Sequence, residues 1–434
     1  MRVLIVEPFG HRGGHFSAHT KYLCEALADA GADVTLVTFD GLLGEALHWN
    51  AGIKHVSFVS ASGHFGPVWR FLSHHLRRSV SSVLVTICVF RLAVRQDRRE
   101  KNDVIHVLDA AVPDYAFPWF GSLTNRHCLT FTLFYFSREV RLKGLRAGLA
   151  DALSKGQILI GFRLWLGGIL GSRPATALKR FLYRRGDRRN RMAFISYSKA
   201  VHDSYSESPY YDNIVRMPRG MAVPHGKASE ATEARRILGL SQDGAVLLHF
   251  GVNHVQKNFE VIFQAAKDLP EPYTLLFAGK VNPVNRANNP VMLAKKYGLG
   301  QNTMVADRYI LEEEMPDYFH AADAMLLSHR KHFGRASGVL AEIAQFSLPV
   351  IAADVGEIGE AVRNYGLGLT FEAENARSLR EAILSFLNLK QEQKQEMKKN
   401  LLRFAQDHSW QLVARRHIEV YQSLLLQAEC DYSP

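Results

Sequence analysis

Sulfur is scarce in this chain: four cysteines, Cys24, Cys88, Cys128 and Cys430, are spread over 434 residues. None stands in a Cys-x-x-Cys spacing, which argues against a disulfide framework and a cysteine-based zinc site and fits a reducing compartment. No Asp-x-Asp pair occurs, so the sequence offers no ready bridge between a divalent cation and a diphosphate. Long apolar runs are missing too: the uncharged run from Val80 to Phe90 falls short of the about 20 apolar residues a membrane-spanning helix needs. The first residues, MRVLIVEP, read as a buried strand rather than a charged-then-apolar leader. The expected location is therefore the cytoplasm. Short-period repeats and low-complexity tracts are also absent.

What is present is the composition of a soluble globular protein, 47% hydrophobic and 22% charged, long enough for about two or three domains. Acidic residues are outnumbered, giving a net charge of +11. That excess implies an anionic partner: nucleic acid, anionic lipid or a phosphorylated substrate. No helix-turn-helix, zinc-finger or RNA-recognition signature accompanies the charge, so no nucleic-acid partner is expected.

The chain opens as strand MRVLIV, glycine loop GHRGGH, helix FSAHTKYLCEALADAG and strand DVTLVTF. Strand patterns recur at 103–110, 127–136 and 191–198, and repeated βαβ units imply a parallel sheet covered by helices. After the polar stretch HGKASEATEARRILGLSQDG a second series begins with AVLLHFG, NFEVIFQAAKDL, YTLLFAG and PVMLAKKYG. EEMPDYFHAAD, AMLLS, GVLAEIAQF and PVIAAD continue it. The expectation is an α/β protein of two Rossmann-like doubly wound domains facing each other across a cleft. Their expected spans are 1–224 and 236–404, followed by a helical segment, 405–434.

Two stretches do not fit a plain doubly wound sheet: residues 68–101 and residues 137–191. They set Trp69, Phe71, Phe162 and Trp165 among Arg77, Arg78, Arg163, Arg180, Arg184, Arg185, Arg188 and Arg189. Such a mixture suits helices lying on an anionic membrane surface. Helices packed on their own domain with solvated arginines fit it as well.

Three local patterns suggest chemistry. Gly10, Gly13 and Gly14 lie between a strand and a helix, where glycine lets backbone amides approach an anion, although many structural turns look the same. Lys257 follows strand AVLLHFG at the start of a helix and can reach a phosphate beyond the carboxyl ends of the strands. Ser337, Gly338 and Val339 stand where a further helix begins, offering amides to a diphosphate. One turn on, Glu342 interrupts the apolar run GVLAEIAQF. A carboxylate there needs a partner, which ribose hydroxyls or an arginine such as Arg335 can supply.

Together these patterns resemble the GT-B glycosyltransferases, particularly the retaining family 4 group. The family's Gly-Gly loop is matched by Gly13 and Gly14, and Gly251 and Lys257 stand at its spacing, with Val252 in the arginine position and Asn258 at the second glycine. The resemblance puts Tyr309 and Ile310 beside the nucleobase, and makes Glu342 the second acid of a Glu-x7-Glu motif whose first position is Gly334. Lys331, His332 and Arg335 occupy the acid-free loop, which would suit an acidic sugar or an added phosphate contact. FAQDHSWQLVARRHIEVY is similar to the family's closing helix, which crosses back to the first domain. Asp109, then His106, are the candidates to position or deprotonate an acceptor hydroxyl.

The function implied is metal-independent transfer of a sugar from a nucleotide-diphosphate donor to a lipid-linked or polysaccharide acceptor, at the cytoplasmic membrane face. Retention of configuration is implied by the family, and no cofactor is called for. The rivals are a catalytically degenerate GT-B subunit and a nucleotide-sugar epimerase or hydrolase. Oligomeric state stays open.

Overall fold

A computed structural model describes residues 1–7, 15–39, 53–58, 79–108, 128–133, 191–206, 213–221, 230–253, 256–281, 285–311, 313–334 and 338–430. The chain forms two compact units, Met1–Gly220 with Trp410–Pro434, and Met221–Ser409.

The first unit is built on β1 (Arg2–Glu7), β2 (Asp33–Phe39), β3 (Lys54–Phe58), β4 (Val104–Val107), β5 (Cys128–Leu133), β6 (Arg191–Ser196) and β7 (Ile214–Arg216). They form one sheet in the order β3-β2-β1-β4-β5-β6-β7, every neighbouring pair parallel. Its helices are α1 (His15–Asp29), α2 (Ser79–Glu100), α3 (Lys199–Ser206) and, from the far end of the sequence, α12 (Trp410–Cys430). Val3, Ile5, Val34 and Leu36 alternate onto one face and pack with Leu23 and Leu27 of α1 and Val413, Tyr421 and Leu424 of α12. Side chains of this size contribute about 1.5–3 kcal/mol each when fully buried. Gly220 is pressed against the Trp410 ring so closely that any Cβ there would collide with it.

The interface under α12 is polar as well as apolar. The Tyr421 hydroxyl lies 2.6 Å from His106 Nδ1, and Thr132 Oγ1 lies 2.8 Å from His106 Nε2. His417 Nδ1 donates to the Val413 carbonyl at 2.7 Å, which leaves Nε2 to accept from the Tyr197 hydroxyl at 2.9 Å. The His106 and His417 rings stack 5.5 Å apart, and His19 packs edge-on to Tyr197 and Trp410.

The second unit repeats the plan. Its strands are β8 (Ala245–Phe250), β9 (Tyr273–Ala278), β10 (Thr303–Ala306), β11 (Ala324–Leu327), β12 (Val350–Ala353) and β13 (Gly368–Phe371). They form a parallel sheet in the order β10-β9-β8-β11-β12-β13. Its helices are α4 (Ala231–Leu238), α5 (Phe259–Ala266), α6 (Pro290–Tyr297), α7 (Met315–Ala321), α8 (Gly338–Gln345), α9 (Gly356–Tyr365), α10 (Ala376–Leu387) and α11 (Gln391–Asp407). Alternation divides the strands between two cores. Val246, Leu248, Met325, Leu327, Val350 and Ala352 face α7, α8, α9 and α11. Leu247, Leu275, Phe277, Leu326 and Ile351 face α5, α6 and α10.

One expectation is corrected. The chain passes between units at 220/221 and again at 409/410, not within 224–236 and at 405, because α11 runs on to Asp407 and Met221 pairs with Ser409 in the second unit. Within the first apolar insert the described side chains of α2 pack on their own domain: Val89, Phe90 and Ala93 are buried, against a sheet that α2 contacts at β1, β2 and β3. Among the described residues no helix is long and apolar enough to cross a membrane. Residues 59–78 and 134–190, with all eight of the expected surface-binding arginines, lie outside the described residues.

Burial holds the histidines under α12 neutral. His417 is lowered to about 4, and His19 and His106 are lowered well below their ordinary value, desolvation being the largest cause in each. The unfolded chain therefore takes up protons first, near pH 6.5, and stability falls as pH drops from about 6.5 toward 4, by about 3 kcal/mol for His417 alone. Thermal melting at pH 7.5, 6 and 5 should show this loss. His417→Gln should flatten the slope, and an equally steep slope in the variant would remove His417 from the cause.

Candidate functional site

Because the six strands of the second unit are parallel, the loops after β8, β9, β10, β11 and β12 leave from one edge of its sheet. Open parallel sheets bind ligands at that edge. The loop after β8 is held down by a set of asparagines. Asn285 Nδ2 donates to the Asn253 carbonyl at 3.1 Å, Asn253 Nδ2 to the Asn288 carbonyl at 3.2 Å, and the Phe259 amide donates to Asn288 Oδ1 at 2.7 Å.

Lys257 sits at the end of this loop. It forms an antiparallel bridge with His329, reinforced by Asn258 N to Ser328 O at 2.7 Å and Arg330 N to Gln256 O at 2.9 Å. The segments after β8 and β11 are therefore zipped together. The Lys257 side chain is buried, and its ammonium donates to the Phe250 carbonyl at 3.0 Å. Beneath it lies His249, which donates from Nδ1 to the Leu326 carbonyl at 3.0 Å. Burial, followed by the Lys257 charge, lowers its pKa well below the ordinary value. Ser328 is also buried, and its hydroxyl has no hydrogen-bond partner among the described residues. A desolvated cation flanked by buried polar groups is suited to an anion.

α8 begins at Gly338 on the segment that follows β11. Gly338 and Val339 thus lie in the first turn, where N–H groups have no partner within the helix. Leu340, Ile343 and Ala344 anchor α8 in the core. Ser337 lies outside the described residues, as do the side chains of Val339 and Glu342. At the other end of the sheet's order, Ile310 is buried after β10, whereas Tyr309 is 66% exposed.

The acid-free loop is less cationic than its sequence suggests. Arg330 meets Glu374 at 3.5 Å and Lys331 meets Glu372 at 3.9 Å. The partners come from beyond β13, about forty residues downstream, and no short-range pattern announces them.

In the first unit, His106 is not an open group waiting for an acceptor. It is fully buried, with both ring nitrogens engaged by Tyr421 and Thr132, so its role in this arrangement is to dock α12. Asp109, Gly13 and Gly14 lie outside the described residues. Buried Glu7, at the end of β1, accepts from Thr20 Oγ1 at 3.2 Å. Sequence reasoning passed over Glu7, His249 and Ser328. The readable signal is the same in each case, a polar residue within or directly after an apolar strand.

Residues 230–403 match the family of glycosyl transferases group 1. Over 251 residues the chain is 26% identical to D-inositol 3-phosphate glycosyltransferase of Rhodococcus erythropolis, covering 55% of each chain. It thus spans about half the length of the curated relatives it matches. Sucrose-phosphate synthase of Thermosynechococcus elongatus superposes with a TM-score of 0.66 at 18% identity, over 98% of this chain and 99% of that one. Anabaena HepE in complex with UDP gives 0.65 at 14% identity, over 98% and 100%. These likenesses establish the fold, that of the GT-B glycosyltransferases.

The site rests on close backbone approach between the loops after β8 and β9. Gly279 has φ +139, and a Cβ there would lie 2.7 Å from the Gly251 carbonyl. Gly279→Ala should destabilise the second unit by about 1–3 kcal/mol, read as a lower urea midpoint. An unchanged midpoint would show that the two loops give way freely.

Proposed function

From the GT-B fold and the group 1 match of residues 230–403, we propose that the chain is a glycosyltransferase. It moves a sugar from a nucleoside diphosphate donor, held by the second unit, to a lipid-linked or polysaccharide acceptor. The observation that carries this reading is the convergence, at the carboxyl edge of one parallel sheet, of buried Lys257, the start of α8 at Gly338 and the exposed Tyr309 ring. β10 and β11 are three strand steps apart, roughly 14 Å at about 4.8 Å per step. That span suits a base at the β10 end and a diphosphate at the β8–β11 end. The complex of Anabaena HepE with UDP supports the same class of donor.

In this reading Lys257 and the amides of Ser337, Gly338 and Val339 stabilise the leaving diphosphate, where negative charge develops. Tyr309 lies against the base, on a loop that buried Ile310 anchors in the core, and Glu342 accepts from the ribose. Gly13, Gly14 and Asp109 belong to the first unit's share of the reaction, with Asp109 positioning the acceptor hydroxyl. Charge stabilisation by lysine and amides makes the transfer metal-independent, and the resemblance to family 4 makes it retaining. The arginine- and tryptophan-containing stretches 68–78 and 137–191 supply an anionic-membrane contact at the cytoplasmic face, which liposome flotation tests.

A second reading, a donor-binding subunit without turnover, is favoured by Val252 and Asn258 standing where the family places arginine and glycine.

Thermal protection by a panel of UDP-, GDP- and ADP-sugars, followed by nucleoside diphosphate release with a membrane lipid extract, separates these readings. Lys257→Met should weaken nucleotide binding about 10- to 100-fold, the loss of one charge-assisted contact. Turnover should survive EDTA. Protection by no nucleotide would sink the donor reading, and binding without turnover toward any acceptor would favour the second.

A further inference from the structure

The loop that carries Tyr309 is pinned more tightly than an ordinary surface loop. It leaves β10, an edge strand of the second sheet, at Asp307 and enters α7 at Met315. Asp307 Oδ1 accepts from the Val281 amide at 2.8 Å, which ties the loop to the end of β9. Ile310 inserts into the core, 5% exposed. Arg308 and Glu314 then close the loop with two parallel hydrogen bonds of 2.6 Å each. Glu314 Oε2 also accepts from the Leu311 amide at 3.0 Å. Arg308 donates to the Tyr309 carbonyl at 3.3 Å and to the Tyr318 hydroxyl at 3.4 Å.

Glu314 stands at the N-cap of α7 but makes no side-chain cap; its carboxylate is spent on the loop. The fork holds that carboxyl down to about 2, so the pair stays charged at any working pH. Both partners are substantially exposed, and exposed ion pairs contribute little to global stability. What this pair does is fix a short stretch of backbone. That stretch holds Tyr309 and Leu311 outward, 66% and 47% exposed, an arrangement that orders the chain without burying the side chains it displays. Ordering a loop in advance is useful when something later lies against it.

We infer that the Arg308–Glu314 fork is a positioning device that holds the Tyr309 ring as a stacking surface for the base of a nucleoside diphosphate. The inference rests on the donor site proposed above and adds the residues that shape its base end. Stacking on an aromatic face tolerates any base, so the fork governs how much affinity the nucleoside adds, not which base is chosen. Arg308 and Glu314 touch the loop rather than the ligand. Their effect therefore falls on the base end of the site and leaves the diphosphate end alone.

Isothermal titration of the full chain with UDP, ADP, GDP and inorganic pyrophosphate, for wild type, Arg308→Lys, Glu314→Gln, Tyr309→Ala and Tyr309→Phe, tests this. Tyr309→Ala should weaken binding of the preferred nucleoside diphosphate about tenfold, and Glu314→Gln and Arg308→Lys several-fold. Tyr309→Phe should bind as wild type does, and pyrophosphate should bind all five proteins alike. Tyr309→Ala combined with Glu314→Gln should be no weaker than Tyr309→Ala alone. Nucleoside diphosphate binding unchanged in the fork variants would overturn the inference while leaving the donor reading intact. Parallel loss of pyrophosphate would overturn it too, by showing that the fork supports the whole strand edge. A wild type that binds no nucleotide would remove the donor reading and the inference together.

Discussion

An all-parallel sheet constrains everything that follows from it, because each strand must leave at the same edge and return over a face before the next begins. In the second unit this gathers five loops at one edge, and three of them bring different groups there. The loop after β8 carries a buried cation, that after β10 an exposed ring, and that after β11 leads into a helix start. No short stretch of sequence holds all three. They meet because β8 lies between β9 and β11 and the strands pair in register, Leu247 beside both Leu275 and Ala324.

Legibility in the sequence follows sheet position. The central strands of both units are readable as apolar runs because both faces are covered, as the uninterrupted burial of β4, β11 and β12 shows. The strands the pattern does not announce are β3, β7, β10 and β13, and these are the four sheet edges. Residues of β7 and β10 are partly exposed or exposed along their length, and only Phe371 of β13 is buried. An edge strand pairs on one side and is covered less, so its composition carries less of the signal that periodicity reads. The crossing between the units departs from the change in composition for a related reason. The change in composition marks the polar stretch after Met221, whereas the physical crossing is set by packing of Gly220 on Trp410 and pairing of Met221 with Ser409.

His106 shows the limit of motif reasoning most clearly. A histidine at the end of the fourth strand reads as a group near an acceptor, yet its partner is Tyr421, 315 residues further on. Burial makes both neutral forms stable together: the histidine is pushed toward the unprotonated state and the tyrosine is held protonated. The same strand position thus serves attachment of α12. Spacing within β4 could not reveal this, since the decisive contact comes from the last helix of the chain.

Charge behaves in a similar way. A net charge of +11 suggests an anionic partner but does not locate one, because many cations of the second unit are matched locally. Lys280 lies by Asp307, Arg308 by Glu314, Arg330 by Glu374 and Lys331 by Glu372. Those pairs are exposed and screened, and a passing anion gains little from them. The acid-free loop, which its sequence presents as a cationic patch, is therefore a weak argument for an acidic sugar. Lys257 is of another kind: buried, fixed by a carbonyl oxygen, and close enough to His249 to depress its protonation. In a low-dielectric setting one such charge outweighs several at the surface. For an anion approaching this edge, where water has been excluded outweighs how many basic residues the loop contains.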